Sequence, residues 1–200
     1  MASTRIRVGR NLEGFALSPA ISKEERLKFE RLMKEVFNEL TGELKGTYYS
    51  LKDLDEPTKQ LLIDEHLLFI SGDKNLIAAG MERDWPEGRG IFISDDRKFS
   101  LWVNEEDQLR IVSMEKGSDV IGTFARLATG IQTISKLIHN KTGKSFQFDD
   151  KNGFIHSCPT NLGTGMRASV HIHLPGWANK SVDDLKEKAK KIGLQVTISL

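Results

Sequence analysis

Arginines recur at alternate positions of short runs that otherwise read as apolar. Arg5 and Arg7 flank Ile6, Arg110 lies between Leu109 and Ile111, and Arg167 opens a run that also carries His171. A guanidinium is planar, stays charged at any relevant pH and offers a fork of donors that matches phosphate oxygens. Such strands side by side would make a concave polyphosphate receptor. Solvent-facing arginines on a one-sided sheet would give the same pattern. Glu105, Glu106 and Asp107 are contiguous. A carboxylate at a strand end can act as a general base or orient an amine or guanidinium; acidic residues are also ordinary in solvated turns.

Cys158 precedes Pro159 and the segment Asn161-Leu162-Gly163-Thr164-Gly165. Its sulfur could serve as a nucleophile or as the electrostatic partner of a cation, or fill a small apolar site. Gly163 and Gly165 allow a phosphate close to the backbone, but no Gly-Lys-Ser/Thr follows, so this is not a Walker A loop. His171 and His173 stand two apart and lack a third metal ligand.

These residues sit in a chain of 200 residues, the size of one large domain. Lys plus Arg total 29 and Asp plus Glu 28, a net charge of +1. That balance excludes nucleic-acid binding through bulk charge but not a local cationic site. With 38% hydrophobic residues and 10 Phe, the composition excludes a disordered chain. The single cysteine excludes an intrachain disulfide and fits a reducing, cytoplasmic setting, with a mitochondrial one left open. No apolar run nears the roughly 18 residues of a membrane span, and the first ten residues lack the apolar core of a secretory signal.

The elements that must position these side chains can be read from periodicity. Arg5 to Val8 alternates as a short strand. Ser22 and Glu25 have capping-box spacing, and Phe29, Leu32, Val36 and Leu40 continue a helix that Thr41-Gly42 ends. Pro57 starts a second helix carrying Leu61, Leu62, His66 and Leu67. Three strands follow at Gly90–Ile93, Phe99–Val103 and Leu109–Val112, and their short links predict an antiparallel meander. Val120, Phe124, Leu127, Ile131, Ile134 and Ile138 mark a long amphipathic helix. Residues 140–151 read as a loop, and Phe154 to Ser157 as a strand. Arg167 to Leu174 alternates, with Ala168, Val170, Ile172 and Leu174 opposite Arg167, Ser169, His171 and His173. Ser181 and Asp184 start a last helix, ended by Gly193, and Leu194 begins a final strand. The expected class is α+β, a largely antiparallel sheet flanked by helices.

Together these segments resemble the phosphagen kinases, the ATP:guanidino phosphotransferases. Trp102-Val103-Asn104-Glu105-Glu106-Asp107 is similar to the family's acidic signature. Cys158 to Thr164, followed by Arg167-Ala168-Ser169-Val170-His171, is similar to its cysteine signature. Ser3-Thr4-Arg5-Ile6-Arg7, residues 45–49, residues 63–66 and residues 84–91 resemble family segments in the same order. The resemblance implies reversible transfer of the γ-phosphoryl group of ATP to a guanidino substrate such as arginine, creatine or taurocyamine. It implies that ATP or ADP, with Mg2+, is held by Ser3, Thr4, Arg5, Ile6, Arg7, Arg110, Arg167, Ala168, Ser169, Val170 and His171, with His66 near the nucleotide. Glu106 would bind and orient the guanidinium. Cys158 would lie beside it as a thiolate, and Glu105 would reach the magnesium through water. The implied partners are a guanidino small molecule and, as a candidate, a second copy of the chain; neither nucleic acid nor membrane is implied.

Two departures stand out. Gln108 replaces a histidine common in the acidic signature. The family also carries an N-terminal helical domain and a C-terminal segment that lie outside this sequence, so residues 1–200 are expected to be part of a catalytic domain, with weak ATP binding and slow or absent phosphoryl transfer. A non-catalytic nucleotide-binding or partner-binding fragment is the alternative.

Overall fold

The first strand, β1 (Ser3–Arg10), buries Thr4, Ile6 and Val8 and leaves Ser3, Arg5 and Arg7 partly open, as its alternation requires. The computed structural model describes residues 3–174, 176 and 181–197. Beyond β1 the order is α1 (Lys23–Phe37), β2 (Gly46–Ser50), α2 (Glu56–Asp64), α3 (Lys74–Ala78), β3 (Gly90–Ser94), β4 (Phe99–Val103) and β5 (Leu109–Lys116). Then come α4 (Val120–Thr142), β6 (Phe148–Asp149), β7 (Gly153–Phe154), β8 (Met166–His171) and α5 (Val182–Lys191). Six strands form one sheet in the order β2-β3-β4-β5-β1-β8, and every neighbouring pair is antiparallel. The expected α+β class and the β3–β4–β5 meander are both present.

The sheet has two unlike faces. On one, Ile6, Val8, Phe99, Leu101, Leu109 and Ile111 pack with Phe29 and Met33 of α1 and Leu127, Ile134 and Ile138 of α4. On the other, Ile91, Ile93 and Trp102 are covered by Leu62, Leu67 and Phe69. This second cover lies over β3 and β4. The same face continues across β5, β1 and β8, where it carries the arginines.

Local chemistry explains the helix ends. Ser22 accepts from the Glu25 N–H while Glu25 accepts from the Ser22 N–H, so the capping box forms. This helix stops at Phe37, before the expected Leu40, though Leu40 remains buried. The second helix ends at Asp64; His66 has φ of 57°, which turns the chain out of the helix and places His66 and Leu67 beyond it. Asp119 caps α4 at the Gly122 N–H, and Gly143 closes it in the left-handed conformation.

Further expectations need correction, among them the loop read at 140–151, which begins inside α4 and holds β6. Residues 46–50 form a strand and 74–78 a short helix, neither foreseen. The strand expected at Phe154–Ser157 shrinks to Gly153–Phe154, because the following residues turn inward to bond with other segments. The Arg167 strand ends at His171, where its pairing with β1 ends at Ser3. Residues 194–197 are irregular rather than a strand, and the last three residues of that expectation lie outside the described residues.

Gly130 shows how closely α4 meets the sheet. A Cβ there would collide with the ring of Phe99, itself fully buried. Gly130→Val should therefore overpack the core and cost about 1–3 kcal/mol, read as a lower urea midpoint at unchanged slope.

Candidate active site

The register of β1 decides which side chains meet. Arg7 lies directly opposite Arg167 on β8, Arg5 opposite Ser169, and Ser3 opposite His171. On its other side β1 places Gly9 opposite Arg110, which in turn faces Trp102 on β4. Directly paired residues share a face, so Arg5, Arg7, Arg110, Arg167, Ser169 and His171 project to the same side. Ile6, Ala168, Val170 and Thr4 belong to the opposite face; of the nucleotide set they contribute backbone only on the arginine side.

Trp102 is the floor of this cluster. The Arg5 and Arg110 guanidinium carbons lie 5.7 and 5.3 Å from its ring centroid. Its indole N–H donates to the Leu67 carbonyl at 2.6 Å, which fixes the ring. Burial, and then the neighbouring Arg7 and Arg110, pull the Arg5 pKa down to about 10. Arg7 is lowered for the same reasons, by burial first and then by Arg110 and Arg167. The cluster stays cationic at neutral pH but is electrostatically crowded.

The acidic turn between β4 and β5 meets this crowd edge-on. Asn104 takes φ of 57°, and its N–H donates to the Gln108 carbonyl, closing the turn. The Asn104 side-chain amide donates to the Arg26 and Gly88 carbonyls, and the Asn104 backbone carbonyl accepts from the buried Arg89. Glu105 and Glu106 then point at Arg110. Arg110 donates to Glu105 Oε1 at 3.1 Å and to Glu106 Oε2 at 2.6 Å. Asn161 adds a weaker contact to Glu106 Oε2 at 3.4 Å. Glu105 also accepts from the Glu106 N–H at 2.7 Å. Burial outweighs Arg110 and holds the Glu105 carboxyl above its ordinary value of 4.5.

A cavity of about 160 Å³ opens between these groups. It is lined by Arg7, Arg110, Arg167 and Glu106, and by the Thr160–Asn161–Leu162 turn and Thr164–Gly165. Four side chains singled out from the sequence, Arg7, Arg110, Arg167 and Glu106, thus share one opening, and Arg5 is not among its lining residues. Cys158 caps the turn beginning at Pro159, half-buried, with Sγ 3.0 Å from Thr160 Oγ1; the residues just after it line the cavity. His66 is exposed after α2 and is not brought into the cavity, and His171 is exposed at the end of β8. Asn11, Gln108, His156 and Asn161 were not foreseen.

For a metal, the donor set is thin. Among the described residues no group of three His, Cys, Asp or Glu is placed to hold one. Both Glu105 oxygens are engaged by Arg110 and the Glu106 N–H. A magnesium ion at this site would have to be held mainly by bound phosphates, its usual way of binding.

This geometry agrees with what the chain resembles. A family model for the ATP:guanido phosphotransferase C-terminal catalytic domain matches residues 28–197. The arginine kinase of Anthopleura japonica is 52% identical over 86% of this chain and 23% of that protein. The creatine kinase M-type of Bos taurus is 47% identical over 86% of this chain and 45% of its own length. The duplicated taurocyamine kinase from Schistosoma mansoni, solved with bound transition state analog components, superposes with a TM-score of 0.91 at 41% identity over 99% of this chain and 27% of that one. The chain belongs to the ATP:guanido phosphotransferases, as a phosphagen kinase catalytic domain. It spans about a quarter to a half of the relatives it matches. Among the described residues, no helix is long and apolar enough to cross a membrane.

Arg110 bridges two mostly buried carboxylates, with side-chain exposures of 14%, 12% and 19% for Arg110, Glu105 and Glu106. Arg110→Ala should cost about 2–4 kcal/mol at pH 7, because it strands both carboxylates. A carboxyl raised in the folded protein contributes stability below its unfolded value and loses it as pH rises through the folded value. The deficit should therefore shrink as pH falls from 7 toward 4.5, the ordinary Glu105 value. Urea unfolding of both proteins across this range checks it.

Proposed function

We propose that this site binds ATP or ADP together with a guanidino compound and transfers the γ-phosphoryl group between them. One observation carries the reading: Arg7 and Arg167 are held directly opposite each other, with Arg5 and Arg110 beside them on one face. Like charges directly opposite in a sheet are destabilising, and a polyphosphate is the chemistry that turns that repulsion into binding. Phosphoryl transfer asks for this kind of site, because it depends on positioning and charge stabilisation more than on covalent help.

In this reading Arg5, Arg7, Arg110 and Arg167 hold phosphate oxygens. The edges of Ser3, Ser169 and His171 border the same face, and Thr4, Ile6, Ala168 and Val170 supply backbone. Magnesium accompanies the phosphates, with Glu105 as the acidic neighbour that would reach it through water. His66 approaches the nucleotide only if its segment closes over the site. Glu106 binds the guanidinium of the second substrate. As a guanidino nitrogen attacks the γ-phosphorus, the bond to the ADP oxygen breaks and the nitrogen's proton passes to Glu106. Cys158 flanks the guanidinium as an electrostatic partner and forms no covalent bond. Arginine, creatine and taurocyamine are the substrate candidates, each acted on by a relative named above.

Two measurements test this. Arg167→Ala should weaken ADP binding about 10- to 100-fold by titration calorimetry, the worth of one charge-assisted contact. An unchanged affinity would remove the phosphate receptor. In a coupled assay with the three guanidino compounds, Glu106→Gln should lower turnover about 10²–10⁴-fold. Binding of ADP without turnover in the unaltered chain would leave a nucleotide-binding fragment as the function.

A further inference from the structure

Behind the acidic turn lies a buried imidazole that the reaction just described does not use. His156 is fully enclosed, and its Nδ1 lies 2.8 Å from Asp107 Oδ2. The other Asp107 oxygen accepts from the Ser157 N–H at 2.8 Å and from the Asn11 amide at 2.7 Å. Ser18 ties the same two segments together, its hydroxyl donating to the Glu105 carbonyl and its N–H to Ser157 Oγ. The glycines around the ring are there for its sake. A Cβ on Gly9 would lie 2.8 Å from both His156 Cε1 and Nδ1, and one on Gly165 would collide with His156 Nε2. Arg10 closes the far side, donating to the Gly9 and Thr164 carbonyls.

The position of this pair along the chain gives it meaning. Asp107 directly follows Glu106, and His156-Ser157 directly precedes Cys158. One carboxylate thus fastens the residue next to the proposed guanidinium-binding glutamate onto the two residues before the cysteine. We propose that His156 is a positioning residue: through Asp107 it sets where Cys158 stands relative to Glu106, and so shapes the guanidinium side of the site without touching substrate. The nucleotide side hangs on a different set of bonds, the β1–β5 and β1–β8 ladders. Disturbing the pin should therefore act on one half of the site only. The inference takes its importance from the proposed phosphotransferase reading, but its test needs no turnover.

Cys158 is the only cysteine, so alkylation of the whole chain by iodoacetamide reads that sulfur alone. His156→Leu should change the alkylation rate at least fivefold while the Kd for ADP stays within twofold. His156→Asn, which can still donate to Asp107, should bring the rate back to within twofold of the unaltered chain. An unchanged rate in His156→Leu, or a failure of His156→Asn to restore it, overturns the proposal. Should His156→Leu not fold, the ¹⁵N spectrum of the histidines in the unaltered chain decides. A proton on His156 Nδ1 supports the donation to Asp107; a bare Nδ1 refutes it. If ADP fails to bind at all, the nucleotide reading falls while the cysteine readout still judges the pin.

Discussion

Arg7 and Arg167 face each other across β1 and β8, and the rest of the site follows from holding them there. Repulsion between two such groups would splay the strands if nothing else fixed the register. The alternation of β1 supplies the restraint, since Ile6 and Val8 are sunk in the core on its other face. A slip by one residue would bury the arginines and expose those side chains, at a cost far beyond the repulsion. The hydrophobic face therefore offsets the electrostatic one, in which burial first, and then the neighbouring arginines, lowers Arg5 and Arg7.

The carboxylates complete the separation of charge. Arg110 belongs to the cationic face by register and to the acidic turn by contact. It is the joint between the cationic half and the acidic half of the site. The turn is tied down from several directions: its Asn104 and Glu105 carbonyls accept from Arg89 and Ser18, its Gln108 N–H donates to Asn11, and the Asn104 side-chain amide donates to the Gly88 and Arg26 carbonyls. Gln108 accepts from the Leu12 N–H and donates to the Ala16 carbonyl, so in place of the family's common histidine it still binds the turn to the segment after β1.

Much of this could be read in the sequence where the signal is local. The capping box at Ser22, the β3–β5 meander and the six apolar positions of α4 each state their structure within a few residues. The signals failed where structure is set from far away. Strand β2 carries consecutive tyrosines and no clean alternation; its place depends on pairing with β3 and on Tyr48 donating to Glu30. The α3 turn exposes Ile77 and buries none of its residues, so no period betrays it; it rests on the Asp73 cap and on Glu82 accepting from the Gly72 and Asp73 N–H groups. The arginines and Glu106 stood out by residue type, although solvent-facing charge would give the same pattern, and the family resemblance rather than the pattern implied their roles. His156 did not stand out, because a lone histidine in an apolar run says nothing about the carboxylate 49 residues away that gives it a role.

Strand β8 has a single neighbour in the sheet, β1, and no described strand beyond it. Arg167 is thus carried by an edge strand that is laddered on one side only among the described residues. An anion gripped between Arg7 and Arg167 would bridge the two strands as a cross-link does. By linkage, whatever free energy the bound anion draws from a well-aligned β8 it returns by holding that edge against fraying. The margin of the sheet would then be tightened by such an anion, and the local order of β8 would gauge how much of it is bound.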